Sequence, residues 1–267
     1  MQPVSVVVLG AAGLVGSAVS SHLRSLGCPV IPVERADQPL STPIQADVVV
    51  NCNGNSYRFR ANQNPRWDFE ASVLTVEQSL FDISTRLYIY ISSVDVYSVL
   101  HDPSRNCETA PIQPSSLDVY GFHKWIAERI VEKFAPRWSI LRLGTVVGPG
   151  LKKGPVFDLL QGLPLFMSLD SLLTLVDTHT ITRVVELLID RPGESGILNV
   201  TGTGSVLLRE LAACAPHPPR LAPGAESKVY RYHVDNSRLR SLLPVPSSLE
   251  IGRRFLEQRL GVNPCMS

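Results

Sequence analysis

The chain has 267 residues, a formal net charge of +1 and an ordinary apolar content of 44%. That length suits one α/β domain with an appended lobe, and it allows a sizeable buried core. Near-neutral charge gives no electrostatic case for nucleic acid or an anionic membrane surface, and no apolar run is long enough to span a bilayer.

Met1 is followed within a few residues by the first strand, which leaves no room for a charged leader and cleavage site. Cys28, Cys52, Cys107, Cys214 and Cys265 are scattered, odd in number and without metal-ligand spacing. They read as reduced thiols, mostly core filler, in a soluble cytoplasmic protein.

The run Val4 to Leu9 is charge-free and mostly β-branched, the pattern of a strand buried on both faces. It ends in Gly10-Ala11-Ala12-Gly13-Leu14-Val15-Gly16, then passes into Ala18 to Leu26, where apolar residues recur at helical spacing. Strand, glycine turn and helix form the context of a phosphate-binding loop. Gly10 allows the tight turn, Gly13 lets backbone approach a pyrophosphate, and Gly16 lets helix and strand pack closely. The helix N-terminus offers its free N–H groups to the anion. The expected cofactor contacts here are Gly10, Ala12, Gly13, Leu14, Val15 and Gly16.

Gly27 stops the helix, and Cys28 to Val33 reads as a second strand whose prolines imply an outer position. It ends at Glu34-Arg35, close to twenty residues beyond the loop. Glu34 can accept both hydroxyl protons of an adenosine ribose, favouring NAD, whereas Arg35 could clamp a 2′-phosphate, favouring NADP. The choice stays open, with NAD ahead. Residues 36 to 46 are too short for another strand-plus-helix unit. Asp47 to Asn55 is the next buried strand with a polar loop, which places Asn53 and Gly54 beside the ribose or pyrophosphate.

Phe69, Val73, Val76 and Leu80 predict a helix from Pro65 to Phe81. Leu87 to Ser93 is a third strong strand, Tyr120 to Phe134 a helix, and Trp138 to Leu143 a fourth strand. Alternation of buried strands and helices argues a Rossmann-type, doubly wound parallel sheet. Beyond Gly150 the pieces shorten: helices over Val156 to Leu163 and Thr180 to Leu188 (Thr180 a candidate N-cap), a strand over Gly196 to Val200, and an exposed proline-dense loop at 215 to 224. A last helix runs from Ser247 to Leu260. The expected division is a dinucleotide-binding domain over 1–150 and a small mixed α/β substrate lobe over 151–267, interleaved with it.

Tyr120 and Lys124 lie four apart on one helix and share a face. A phenol is a poor base at neutral pH, and an adjacent ammonium favours its phenolate. Tyr120 could then take a hydroxyl proton while hydride leaves the same carbon, or return one in reverse, and Lys124 could also hold ribose hydroxyls. Ser92-Ser93, at the end of the preceding strand, can orient the reacting oxygen.

These elements together resemble the extended short-chain dehydrogenase/reductases, the group of nucleotide-sugar epimerases, dehydratases and reductases. The glycine loop and Tyr120-Gly121-Phe122-His123-Lys124 are similar to their two signature motifs. Ile91-Ser92-Ser93-Val94-Asp95-Val96-Tyr97 looks like their catalytic strand, and its Tyr97 end places the hydroxyl on Ser93. The segment from Leu141 through Leu143 to Gly150 is similar to the one that passes the nicotinamide, and Ile197 to Gly202 to a late strand of the family. The resemblance implies Ser93, Tyr120 and Lys124 as catalytic residues, Leu143 beside the cofactor, NAD or NADP as cofactor, and a homodimer.

Departures from that pattern are Ser72 where an asparagine supports the lysine, Thr180 where an acid opens a helix, and Val94-Asp95 where 4,6-dehydratases carry two acids. Dehydration is therefore less favoured than redox or epimerisation. Arg60, Arg66, Lys152, Lys153 and Arg183 are candidates to meet a diphosphate. His101, His123 and His179 have no carboxylate or Cys partner at ligand spacing, so no metal is expected. The expected activity is NAD(P)-dependent chemistry at a hydroxyl or keto carbon of a sugar or nucleotide-sugar. A reductase of a non-sugar small molecule and a non-catalytic dinucleotide sensor are the alternatives.

Overall fold

The computed structural model describes residues 4–261 except 38, 39, 41, 56 and 99. The uncharged run at the start forms β1 (Val6–Leu9), every residue of it buried. The other strands of its sheet are β2 (Val30–Val33), β3 (Val48–Asn51), β4 (Leu87–Ser93), β5 (Trp138–Leu143) and β6 (Gly196–Val200), in the order β6-β5-β4-β3-β1-β2. The ladders β1–β2, β1–β3 and β3–β4 are parallel. β3 and β4 are buried throughout, as fits strands covered on both faces, whereas β2 at the edge exposes Ile31 and Pro32. The chain moves outward from β1 to β2 and then returns past β1 to β3. Reversal at that point opens a crevice at the carboxyl ends of β1 and β3.

The helices are α1 (Leu14–Ser25), α2 (Arg58–Gln63), α3 (Pro65–Phe69), α4 (Thr75–Asp82), α5 (Val119–Phe134), α6 (Pro155–Gln161), α7 (Thr178–Asp190) and α8 (Ser248–Leu260), with shorter pieces between. None of the described helices is long and apolar enough to cross a membrane. The segment expected as one helix from Pro65 to Phe81 is instead α3, a π-helical turn at Glu70–Leu74, and α4. The wider turn shifts the helical phase. It buries three consecutive residues, Ala71, Ser72 and Val73, and leaves Phe69 exposed rather than in the core. Thr180 is not an N-cap, because α7 begins two residues earlier at Thr178. The described cysteines Cys28, Cys52, Cys107 and Cys214 are each partly buried, Cys214 packing against the second unit's core, and Cys265 lies outside the described residues.

By contact density the chain divides into two compact units. The first comprises Met1–Ser98, Pro111–Arg142 and His179–Leu198; the second comprises Val99–Ala110, Leu143–Thr178 and Asn199–Ser267. The first unit's core sets Val7, Leu9, Val49, Tyr88, Tyr90 and Ile140 of the sheet against Val76 of α4 and Ala127 and Val131 of α5. The second has its own core, in which Val156 and Leu159 of α6 and Ile251, Phe255 and Leu256 of α8 enclose Leu173, Leu175 and Val206.

One polar element interrupts the first core. Glu128 on α5 takes two hydrogen bonds from Arg142 on β5, at 3.0 and 2.7 Å, and a third from Ser92 at 2.6 Å. Arg142 also donates to Tyr97 at 3.0 Å and is 1% exposed. Burial works against its charge, but attraction and hydrogen bonds from Glu128 and Tyr97 outweigh it and hold the guanidinium above its ordinary pKa. Breaking such a pair strands a buried charge. Glu128→Ala is expected to cost about 3–5 kcal/mol in urea denaturation, whereas a cost below about 1 kcal/mol would mean the pair does not hold β5 to α5.

Candidate active site

The glycine loop follows from local geometry. Gly10 has φ +71, and a Cβ there would lie 2.8 Å from Asn53 Oδ1. Only glycine fits that turn. At Gly16 a Cβ would fall 2.1 Å from the Gly10 carbonyl oxygen, so α1 packs directly on the end of β1. Gly13 is the N-cap of α1 with no side-chain cap, and no acidic residue occupies the first turn. The first-turn N–H groups, those of Leu14, Val15 and Gly16, therefore face no carboxylate of their own helix. Near a Cβ built at Gly13 only the Gly10 oxygen lies within 4 Å, at 3.2 Å. This cradle fits a pyrophosphate.

Glu34 reaches back to the loop, accepting the Ala12 N–H at 2.7 Å, which brings the end of β2 to the cradle. The Arg35 side chain lies outside the described residues. On the other side of β1, Asn53 is buried against Gly10. Its neighbour Gly54 lies against the catalytic candidates, since a Cβ there would be 3.1 Å from Lys124 Nζ. Leu143 is buried at the end of β5 and is counted with the second unit.

Ser93 ends β4 and caps the short turn at Val94–Val96, its Oγ accepting the Asp95 N–H at 3.1 Å and donating to Asp95 Oδ2 at 3.2 Å. Its hydroxyl lies close enough to Tyr120 to favour the phenolate. A Cβ on Gly121 would be 2.3 Å from the Asp95 carbonyl oxygen, so glycine lets α5 start against this turn. Asp118 caps α5, accepting the Gly121 N–H at 2.8 Å. Lys124, one turn further along, is buried and donates to Tyr90 Oη at 3.2 Å and to the Ile91 carbonyl at 3.0 Å. The structure thus sets Tyr120 and Lys124 one turn apart at the start of α5, Ser93 at the turn that α5 packs against, and Lys124 against Gly54.

The electrostatics differ from the expectation. Tyr120 was expected to be pulled toward phenolate by Lys124; instead its hydroxyl is held above the ordinary phenol pKa. Burial is the main cause and the Asp95 carboxylate adds to it, while the Ser93 hydroxyl and Arg58 oppose. Lys124 is turned to Tyr90 and Ile91. Burial pulls its ammonium down to about 8, with Asp68, Glu128 and Cys52 opposing that fall. The Cys52 thiol is pushed up to about 12 by burial.

Several contributors carry no short-range sequence signal. Arg58 donates to Asp95 at 3.0 Å and to Asp118 at 2.6 Å, clamping the Ser93 turn to the cap of α5. Asp118 had a readable signal, an Asp at N-cap spacing before an apolar-periodic helix. His123 does have a carboxylate partner, Asp68, at 2.6 Å and 55 residues away. Among the other basic candidates, Arg66 pairs with Glu70 and Arg60 lies over the Tyr57 ring at 4.8 Å. Among the described residues no group of three or more His, Cys, Asp or Glu is placed to hold a metal.

A loop of this kind at the switch point of a doubly wound sheet places the molecule among dinucleotide-binding α/β proteins. Residues 6–159, more than half of the chain, match the NAD dependent epimerase/dehydratase family, and the chain belongs to that family. Its cofactor is accordingly a nicotinamide dinucleotide.

Similar solved structures include a UDP-galactose 4-epimerase, 20% identical over 96% of this chain and 99% of that one, with TM-score 0.79. A dTDP-4-dehydrorhamnose reductase from Bacillus anthracis in complex with NADP is 16% identical over 97% and 99%, TM-score 0.77. MoeE5 in complex with UDP-glucose and NAD is 20% identical over 96% and 98%, TM-score 0.78. At these identities the likeness is one of fold. No curated protein matches the sequence.

The double role of Asp118 is testable. Asp118→Ala is expected to cost about 1–2 kcal/mol in denaturation, while Asp118→Ser, which keeps an N-cap acceptor but loses Arg58, recovers about half. Equal losses would assign the whole effect to the ion pair.

Proposed function

We propose that this chain is an NAD(P)-dependent oxidoreductase or epimerase acting on a hydroxyl or keto carbon of a sugar nucleotide, with Ser93, Tyr120 and Lys124 as its catalytic residues. The observation that carries this reading is the placement of buried Lys124, one turn after Tyr120 on α5, against Gly54, whose neighbour Asn53 packs on Gly10 of the glycine loop. When bound, the dinucleotide supplies a hydride acceptor or donor. Every other step falls to the chain.

Ser93 has one hydroxyl proton, which in this structure points to Asp95. With substrate present the hydroxyl turns to the reacting oxygen and orients it toward Tyr120. In the oxidative direction Tyr120 in its phenolate form accepts the hydroxyl proton at Oη as hydride leaves the same carbon; in the reductive direction the phenol donates that proton to the keto oxygen. Its raised pKa suits the protonated form, the one that donates to a keto oxygen. Lys124, released from Tyr90, grips the ribose and stabilises the phenolate by its charge. Glu34 at the loop favours NAD over NADP, since a carboxylate there pairs with ribose hydroxyls and repels a 2′-phosphate. The second unit is assigned substrate recognition. UDP-galactose, dTDP-4-dehydrorhamnose and UDP-glucose in the names of the fold neighbours make a nucleoside diphosphate sugar the first substrate class to assay.

The proposed assembly is a homodimer. Phe81 on α4 and Phe134 on α5 are 65% and 52% exposed with rings 5.4 Å apart, an apolar face that a second copy would cover. Phe81→Arg is expected to yield a monomer in sedimentation, and an unchanged mass would remove this face from the interface.

Tyr120→Phe tests the chemistry. Turnover of a nucleoside diphosphate sugar is expected to fall by about 10²–10⁴-fold while NADH binding, followed by fluorescence, stays intact. Unimpaired turnover would overturn the catalytic assignment, and absence of dinucleotide binding in the wild type would overturn the loop assignment.

A further inference from the structure

Beneath the lysine lies a second buried polar group that the proposed chemistry leaves unused. The π-helical turn at Glu70–Leu74 turns Ser72 inward, one helical turn after Asp68 on α3. Asp68 is fully buried. Its Oδ2 lies 2.6 Å from His123 Nδ1, and its Oδ1 accepts from Ser72 Oγ at 3.4 Å. Ser72 Oγ also accepts the Asn55 N–H at 3.1 Å. A point built off Gly54 is 3.1 Å from Lys124 Nζ and 3.6 Å from Ser72 Oγ, so ammonium and hydroxyl border the same small volume. His123 is itself buried, with the Phe69 ring edge-on at 5.5 Å.

An ammonium in such a place needs a counter-charge. Tyr90 and the Ile91 carbonyl from β4 accept its hydrogen bonds, and the charged or titratable groups that act on it are Asp68 from α3, Glu128 from its own helix and the Cys52 thiol after β3. Tyr90 and Cys52 are both driven toward their neutral forms by burial. Glu128 is matched by the bidentate Arg142 guanidinium. Asp68 is then the carboxylate whose charge is not cancelled by a guanidinium.

We infer that Asp68 is a positioning residue for Lys124: its carboxylate, held by His123 and Ser72, keeps the lysine charged inside the site. This rests on Lys124 being the working lysine. Burial lowers its pKa to about 8, and Asp68 opposes that fall. Removing the negative charge disfavours the ammonium, so the lysine becomes neutral at lower pH than in the wild type. His123 acts one step further out, fixing the carboxylate through its ring nitrogen.

The chain has five lysines, so ¹³C-lysine NMR titration of the full-length protein can follow each, with Lys124→Arg assigning the resonance. Asp68→Asn is expected to lower the Lys124 midpoint by about one pH unit or more, leaving the other lysines in place. The fall of turnover on the alkaline side of that midpoint, where the lysine loses its charge, should move with it. His123→Leu should lower the midpoint as well, and His123→Gln, which keeps a donor to Asp68, should restore it. These two report the same property if Asp68→Asn does not fold. A Lys124 midpoint unmoved by loss of Asp68 or of its donor overturns the inference, even where Tyr120→Phe has abolished turnover. A midpoint that shifts with turnover unchanged upholds it and instead removes Lys124 from the chemistry.

Discussion

The parallel register of β1, β3 and β4 is the constraint on which the site depends. Val6, Val48 and Leu87 lie abreast, and the three strands run in the same direction from there. Their carboxyl ends must therefore emerge along one edge, each with a different task. β1 delivers the glycine loop, β3 the Asn53-Gly54 loop and β4 the Ser93 turn. A slip of one residue in either ladder would turn every side chain of that strand to the opposite face. Complete burial of β1, β3 and β4 makes such a slip costly, since charged or polar neighbours would replace valines in the core. Placement of the chemistry is thus a consequence of core packing.

That edge carries several charges, some fully buried and some partly open to water. Each is answered by a group from another element. Arg142 answers Glu128, Arg58 answers both Asp95 and Asp118, and His123 holds Asp68. Their effects on the two reactive groups are opposite in sign. Burial and Asp95 favour the neutral phenol at Tyr120, while burial favours the neutral amine at Lys124 and Asp68 opposes it. Burial thus biases the Tyr120 phenol to remain protonated and the Lys124 ammonium to lose its proton.

The sheet and the shared helix face of Tyr120 and Lys124 were legible because their signals are local. Uncharged β-branched runs give strands, three glycines at fixed spacing give the loop, and Tyr120 and Lys124 share a face by helical periodicity alone. What escaped is nonlocal or breaks the period. Asp68 and His123 are 55 residues apart, and Arg58 and Asp118 are 60 apart, distances over which no spacing rule connects two side chains. The π-helical turn escaped for a different reason. A single extra residue per turn leaves the apolar pattern nearly intact while rotating everything before it, so Phe69 looked like core and Ser72 like an isolated substitution.

Seen from that turn, Ser72 has a structural context that its sequence position does not reveal. With a longer amide at that place the side chain would have to share the space bordered by Gly54, Lys124 Nζ and the Asp68 carboxylate. A serine is short enough to leave the carboxylate facing the lysine while still accepting the Asn55 N–H. The small hydroxyl, the buried acid and the buried imidazole therefore form one compatible set. Replacing any one of them changes the demand on the other two, because a buried acceptor without its donor is costly and a buried charge without its partner more so. Coupling of this kind predicts non-additive double mutants among Ser72, Asp68 and His123, and it explains how a site with an altered supporting residue can keep its lysine charged.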